Sequence, residues 1–267
     1  MVWPKIFGRL GRKGVCMNKD KYAEVTRVQT EDLLNKMGGL EGAKRFQSGE
    51  LMLVERNTNG LSSAGFPSFS RFDVGEFLGS WAKFYCDVYK LDLNGEGMAM
   101  PPLEQAMGAG VVMARSITIE QDLAEIKKRT KNNVLYRYTN SDIDQLIQKD
   151  KEAARPTGPY AIWTSPTVES TDQAPHLAKK SYNDVVAMNL LPQVMTFAEY
   201  TRFFCWFLWV TGQPLNRKSW TLTGSLVADG RVLSGDWYGG RFSMIWSHRD
   251  DASDGIRFRQ VVLPPLS

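Results

Sequence analysis

The side chains able to do chemistry in this 267-residue chain are few and poorly placed for catalysis. Cys16, Cys86 and Cys205 are odd in number and far apart, and only His176 and His248 could join them as ligands. With no C-x-x-C pair, this spacing argues against a zinc site or a disulfide framework, and reduced, mostly buried thiols are expected. Cys205 lies in the apolar run Thr196 to Val210, where a thiol stays protonated and inert. His248 stands beside Asp250, Asp251 and Asp254, which could mimic a metal cluster or an acid–base pair. The group lacks a second histidine and a nearby nucleophile, so a charged binding loop is the simpler reading. No catalytic residue, metal or cofactor is assigned.

What remains is recognition chemistry, concentrated in the tail from Ser219 to Leu263. Large apolar residues recur there (Trp220, Val232, Trp237, Phe242, Met244, Trp246, Ile256, Phe258) between turn residues, the pattern of short, half-buried strands. The gaps hold Ser, Gly, Asp, Tyr, Arg and His, the side chains that binding loops use for adaptable contact. If Phe242, Met244 and Trp246 face the core, alternation puts Arg241, Ser243, Ile245 and Ser247 on the opposite face. Arg231, Leu233, Ser234 and Asp236 flank Val232 and Trp237, Tyr238 and Gly239 follow, and a loop carrying His248, Arg249, Asp250, Asp251, Ser253 and Asp254 joins the last two strands. These residues form the predicted ligand-binding surface. Tyr238, Arg241, His248 and Arg249 are its expected anchors, because aromatic and Arg side chains dominate interface energy. Arg257 is expected on a partly exposed face or paired with an acid such as Asp229.

The elements that must support this tail can be read upstream. Val74 to Tyr89 carries Phe77, Leu78, Trp81, Phe84, Tyr85 and Val88 at helical spacing and reads as a core helix. Ser116 to Ile119 reads as a strand end, Glu120 to Thr130 as a helix with acids early and bases late, and Asn132 to Tyr138 as a strand. A helix over 142 to 153, capped from Asn140-Ser141-Asp142, and a short strand Tyr160 to Trp163 follow. Thr196-x-x-Glu199 is a capping box opening an almost wholly apolar helix that Gly212 and Pro214 stop. Earlier, helices over 25 to 37 and 40 to 47, a strand over 50 to 55 and a loop over 57 to 70 are expected.

The net charge of +4 is spread without a long block of one sign, so nucleic acid is not expected as a partner. The start is basic but has no signal-peptide run, and Phe203 to Val210 is too short to span a bilayer, which points to a cytoplasmic protein without a membrane span. Residues 1 to 20 read as a loosely ordered basic lead-in and 21 to 110 as a small, mainly helical N-terminal domain. Residues 111 to 267 form a C-terminal domain whose variable, ligand-binding part covers about 225 to 259. The fold class is α+β, with short antiparallel strands and two or three packed helices in the C-terminal domain.

The motifs Pro159-Tyr-Ala-Ile-Trp163, Thr196-Phe-Ala-Glu-Tyr200, Ser219-Trp-Thr-Leu-Thr-Gly-Ser225, Asp229-Gly-Arg-Val232, Trp237, Arg241-Phe242, Trp246 and Gly255-Ile-Arg-Phe-Arg-Gln-Val-Val262 come in a telling order. Over residues 115 to 263 the chain resembles the C-type-lectin-like fold in the form shared with formylglycine-generating enzymes. More closely, it is similar to the variable proteins of diversity-generating retroelements, whose C-terminal codons are rewritten by a dedicated reverse transcriptase. The resemblance implies a non-enzymatic recognition protein whose diversified tail binds a protein or surface ligand. It does not imply calcium-dependent sugar binding, since no Glu-Pro-Asn-like loop is present. In that family adenines are replaced, mostly in the Asn codons AAC and AAT, and changes at their first two bases never yield Lys, Glu, Gln, Met or Trp. Between Ser219 and Arg259 there is no Lys, Glu, Gln or Asn, where ordinary usage would supply roughly seven of the first three alone. Trp220, Trp237, Met244 and Trp246 are then fixed scaffold. The rival readings are an enzyme on the same fold, formylglycine-generating or metal-dependent, and a structural protein of a mobile element.

Overall fold

The computed structural model describes residues 73–93, 97–130, 136–137, 139–170 and 175–265. The expectations for the lead-in, the helices over 25 to 37 and 40 to 47, the strand over 50 to 55 and the loop over 57 to 70 lie outside them.

The first described helix, α1 (Val74–Tyr89), starts where Asp73 accepts the Glu76 N–H and ends at Lys90 in the left-handed region. Its buried residues Phe77, Trp81, Phe84 and Tyr85 form one stripe, and Trp81 stacks on Trp206 with ring centroids 5.1 Å apart. Trp206 belongs to α5 (Phe197–Thr211), opened by the Thr196/Glu199 capping box and closed by Gly212 at φ 68°. Almost every α5 side chain from Phe197 to Leu208 is buried, because the helix is enclosed by α1, by α2 (Ile119–Arg129) and by strands of both sheets. Expected as the core of a separate N-terminal unit, α1 instead packs its apolar face into the core built on α5.

Two sheets surround α5. In the smaller, β3 (Tyr160–Thr164) pairs antiparallel with β1 (Ala109–Met113) and with β8 (Val261–Val262). The larger comprises β2 (Tyr136–Arg137), β4 (Trp220–Leu226), β5 (Val232–Tyr238), β6 (Arg241–Ser247) and β7 (Ile256–Phe258), in the order β2-β6-β5-β4-β7. Neighbours β4–β5–β6 are antiparallel, while β2 and β7 join the two edges in parallel. The protein is thus α+β, with five helices among the described residues once α3 (Ile143–Leu146) and α4 (Tyr182–Ala187) are counted.

Several local expectations shift for physical reasons. Thr118 is the N-cap of α2, reciprocally bonded with Gln121, so Ser116 to Thr118 is a turn and cap, Ile119 opens the helix and the preceding strand ends at Met113. The helix expected over 142 to 153 stops at Leu146. There Ile147 bridges to Val227 and the Gln148 N–H donates to the Leu226 carbonyl at 2.8 Å, so the end of β4 takes the backbone that would have continued the helix. Of the strand expected over 132 to 138, only Tyr136–Arg137 falls within the described residues. Cys86 is disulfide-bonded, which overturns the expectation of reduced thiols, because sequence spacing alone does not decide which side chains a fold brings together. Cys205 is a free, buried thiol. Among the described residues no helix is long and apolar enough to cross a membrane.

Candidate ligand-recognition surface

The β5–β6 hairpin carries most of the predicted site, and its register assigns each residue to a face. The pairs run from Val232↔Ser247 to Tyr238↔Arg241. Leu233, Gly235 and Trp237 therefore share a face with Trp246, Met244 and Phe242, turned toward α5. Phe204 of α5 meets Phe242 at 4.7 Å and Trp237 at 6.4 Å between ring centroids. The Tyr200 hydroxyl donates to the Gly235 carbonyl at 3.0 Å, and its ring fills the space a side chain at 235 would need. Leu233 is accordingly core, not ligand surface.

The alternate face holds Val232, Ser234, Asp236 and Tyr238 with Ser247, Ile245, Ser243 and Arg241, as the alternation predicts. Burial overturns the inference that this whole face is exposed. Ser234 is 0% and Asp236 2% exposed, and Ser243 and Ser247 are also buried. The Ser234 hydroxyl bonds the Ile245 carbonyl and the Ser247 hydroxyl. At the Val232 end the face is covered by a second apolar cluster, in which Leu177, Tyr182, Val185 and Val194 pack on Leu222, Leu226, Val232 and Phe258. An alternating strand shows which residues share a face, not whether a distant segment covers it.

Asp236 is the unusual member of this row. Burial pushes its carboxyl up to about 7, against the opposing effect of a hydrogen bond with Ser243, and Oδ1 is buried with no hydrogen-bond partner.

The predicted residues that remain accessible collect at the two ends of the hairpin, about 20 Å apart at the usual strand rise. At the tip, Gly239 and Gly240 both have positive φ, making the tight turn possible. Tyr238 projects there at 66% exposure, beside the half-buried Arg241. Ile245, midway along, is also half-buried.

At the base, Arg231, His248, Arg249 and Asp250 line an open groove of ≈ 440 Å³ together with Asn183, Asp229 and Gly230. Arg231 lies over the Trp246 ring at 4.2 Å and bonds Asp229 through Nε at 2.8 Å and Nη2 at 2.5 Å. That hydrogen bonding holds the Asp229 carboxyl below its ordinary value. The loop is bound to itself where the His248 N–H donates to Asp251 Oδ2 at 2.8 Å. It is bound to α4 where the Asn183 N–H donates to the Arg249 carbonyl at 3.1 Å and the Asn183 amide to Asp250 Oδ1 at 2.7 Å. Ser253 and Asp254 turn elsewhere. Ser253 borders a second depression of ≈ 290 Å³ with Lys218, Trp220, Gly255 and Ile256. Asp254 pairs with Lys179 at 3.1 Å and with Arg257 at 3.8 Å, so Arg257 is held by Asp254 and not by Asp229.

Of the groove residues that sequence reasoning left out, Asp229-Gly230 is a turn signal readable in the chain. Asn183 carries no binding signal of its own, although the Ser181/Asp184 capping box marks the start of the helix α4 that presents it.

The buried polar groups of the core pair with one another. Glu199, fully buried, accepts from Arg155 Nε at 2.7 Å, from the Tyr160 hydroxyl at 2.9 Å and from the Thr196 N–H at 2.7 Å. Burial alone would raise its carboxyl, but the Arg155 charge and these donors hold it below the ordinary value. Arg202 and Asp122 form a second buried pair at 2.7 Å between α5 and α2. Burial pushes the Cys205 thiol up, and the hydrogen-bond partner described for it is the Tyr89 hydroxyl at 3.6 Å. Among the described residues no group of three or more His, Cys, Asp or Glu is placed to hold a metal ion.

Compared with protein-family models, with curated proteins and with solved structures, the chain has no match.

Proposed function

We propose that this is a non-enzymatic recognition protein, the variable protein of a diversity-generating retroelement, with a C-type-lectin-like C-terminal domain. It binds a protein or surface ligand through the base groove and the hairpin tip. One observation carries the reading: within the tail, accessible side chains and packing side chains occupy separate positions. Trp237, Phe242 and Met244 pack toward α5, whereas His248, Arg249 and Asp250 are exposed on a loop whose backbone is tied at both ends. Such a loop can exchange side chains without disturbing the core, which is what diversification requires.

Sequencing the DNA beside the gene tests the proposal. A near-copy of the codons for about 225 to 259, differing only at adenines and lying next to a reverse-transcriptase gene, is the expected result. Its absence would sink the retroelement assignment.

A further inference from the structure

The base groove contains two arginines in different states. Arg231 is occupied, bonded to Asp229 and lying over Trp246. Arg249 spends only Nε, which donates to the Gly230 carbonyl at 2.6 Å. That bond lays the guanidinium across the groove while Nη1 and Nη2 have no protein acceptor among the described residues. Gly230 is what permits the pose: it has φ +82°, and a Cβ there would stand 2.9 Å from Arg249 Nη2. The other end of the residue is fixed too, since its carbonyl accepts the Asn183 N–H. Arg249 is thus an exposed cation with a defined direction and two free donors in a fork. The two acids of the groove already face donors, Asp229 from Arg231 and Asp250 from Asn183.

We propose that Arg249 is the anchor for a carboxylate of the ligand, received by Nη1 and Nη2 in the base groove, with Asn183 as the positioning residue. The inference rests on the reading of this groove as a recognition surface and names the ligand chemistry. A planar, singly charged carboxylate matches the free edge of the guanidinium, which binds such groups in a two-bond fork. Arg231 already offsets the Asp229 charge, while Asp250 adds a negative charge beside the site, which penalises a phosphate dianion more than a monoanion. The carboxylate could come from an acidic side chain or from a chain terminus, and the test separates the two.

The protein is titrated, with the Arg249 side-chain and the 229–231 and 248–251 backbone amide NMR resonances followed, against a triglutamate peptide blocked at both ends and against a triglutamine peptide with a free C-terminal carboxylate. A doubly blocked triglutamine peptide is the control. Saturable shifts with either carboxylate-bearing peptide and none with the control are expected, and which peptide acts identifies the source. Arg249→Gln should weaken that binding by about tenfold, the scale of charge-assisted hydrogen bonds, with an unchanged melting temperature. Asn183→Ala keeps its N–H on the Arg249 carbonyl but releases Asp250 to compete for the guanidinium, so it should weaken binding less, and added salt should weaken it throughout. No saturable shift, equal binding by Arg249→Gln, or inorganic phosphate acting at lower concentration than either peptide would overturn the proposal. Such a failure leaves the result from the flanking DNA standing, so the two readings fall separately.

Discussion

Replacing Asp236 by Asn should remove a pH-dependent loss of stability from the centre of β5. The carboxyl moves from its ordinary 3.8 to about 7 in the folded chain because burial disfavours its charge and only Ser243 opposes that. A carboxyl whose folded value is raised binds more protons in the native than in the unfolded state between these two values. Stability therefore falls as pH rises from about 4, and the loss is complete above about 7. At ~1.4 kcal/mol per factor of ten in proton affinity, the full effect is about 4 kcal/mol, of which ~2–3 kcal/mol falls between pH 5 and 8. Urea denaturation of wild type and Asp236→Asn at pH 5, 6, 7 and 8 reads it directly, since every other titrating group cancels in the difference. The variant should gain on wild type with each step upward. A difference constant to within about 0.5 kcal/mol across the range, the precision of such extrapolations, would refute the reasoning and place the carboxylate in contact with water.

Other expectations follow from the packing. Gly235→Ala sets a Cβ 2.5 Å from Tyr200 Cε1, so over-packing should cost about 1–3 kcal/mol, measured by chemical denaturation, with the hairpin still formed. Glu199→Gln leaves Arg155 buried without its counter-charge and should cost about 3–5 kcal/mol. Because the Glu199 carboxyl is held below its ordinary value, the stability it contributes is present above 4.5 and lost as pH falls through the folded value, so the cost of Glu199→Gln should shrink in acid. Thr196→Ala removes half of the capping box of α5 and should lower stability by about 1 kcal/mol in thermal or urea melts.

The parts of this protein written in short-range signals were legible without coordinates. Apolar residues at helical spacing located α1, the Thr196/Glu199 box and Gly212 bounded α5, and the spacing of Trp, Phe and Met in the tail located β4 to β7. Alternation also sorted Arg241, Ser243, Ile245 and Ser247 onto one face of β6. These features depend on backbone sterics and on caps a few residues away, and any stretch carries them wherever it sits. Whether a face meets solvent is a different kind of fact. Ser234, Asp236, Ser243 and Ser247 are buried although their pattern reads as exposed, and Leu233 belongs to the core against α5. The segment from Leu177 to Val194, distant in sequence and unassigned from it, covers part of the sheet and brings Asn183 against Arg249 and Asp250. The chain by itself determined which side chains alternate and where the loops turn. Only the tertiary structure decided which of them reach the outside, because burial is set by whatever else folds onto a surface, and no local periodicity encodes that.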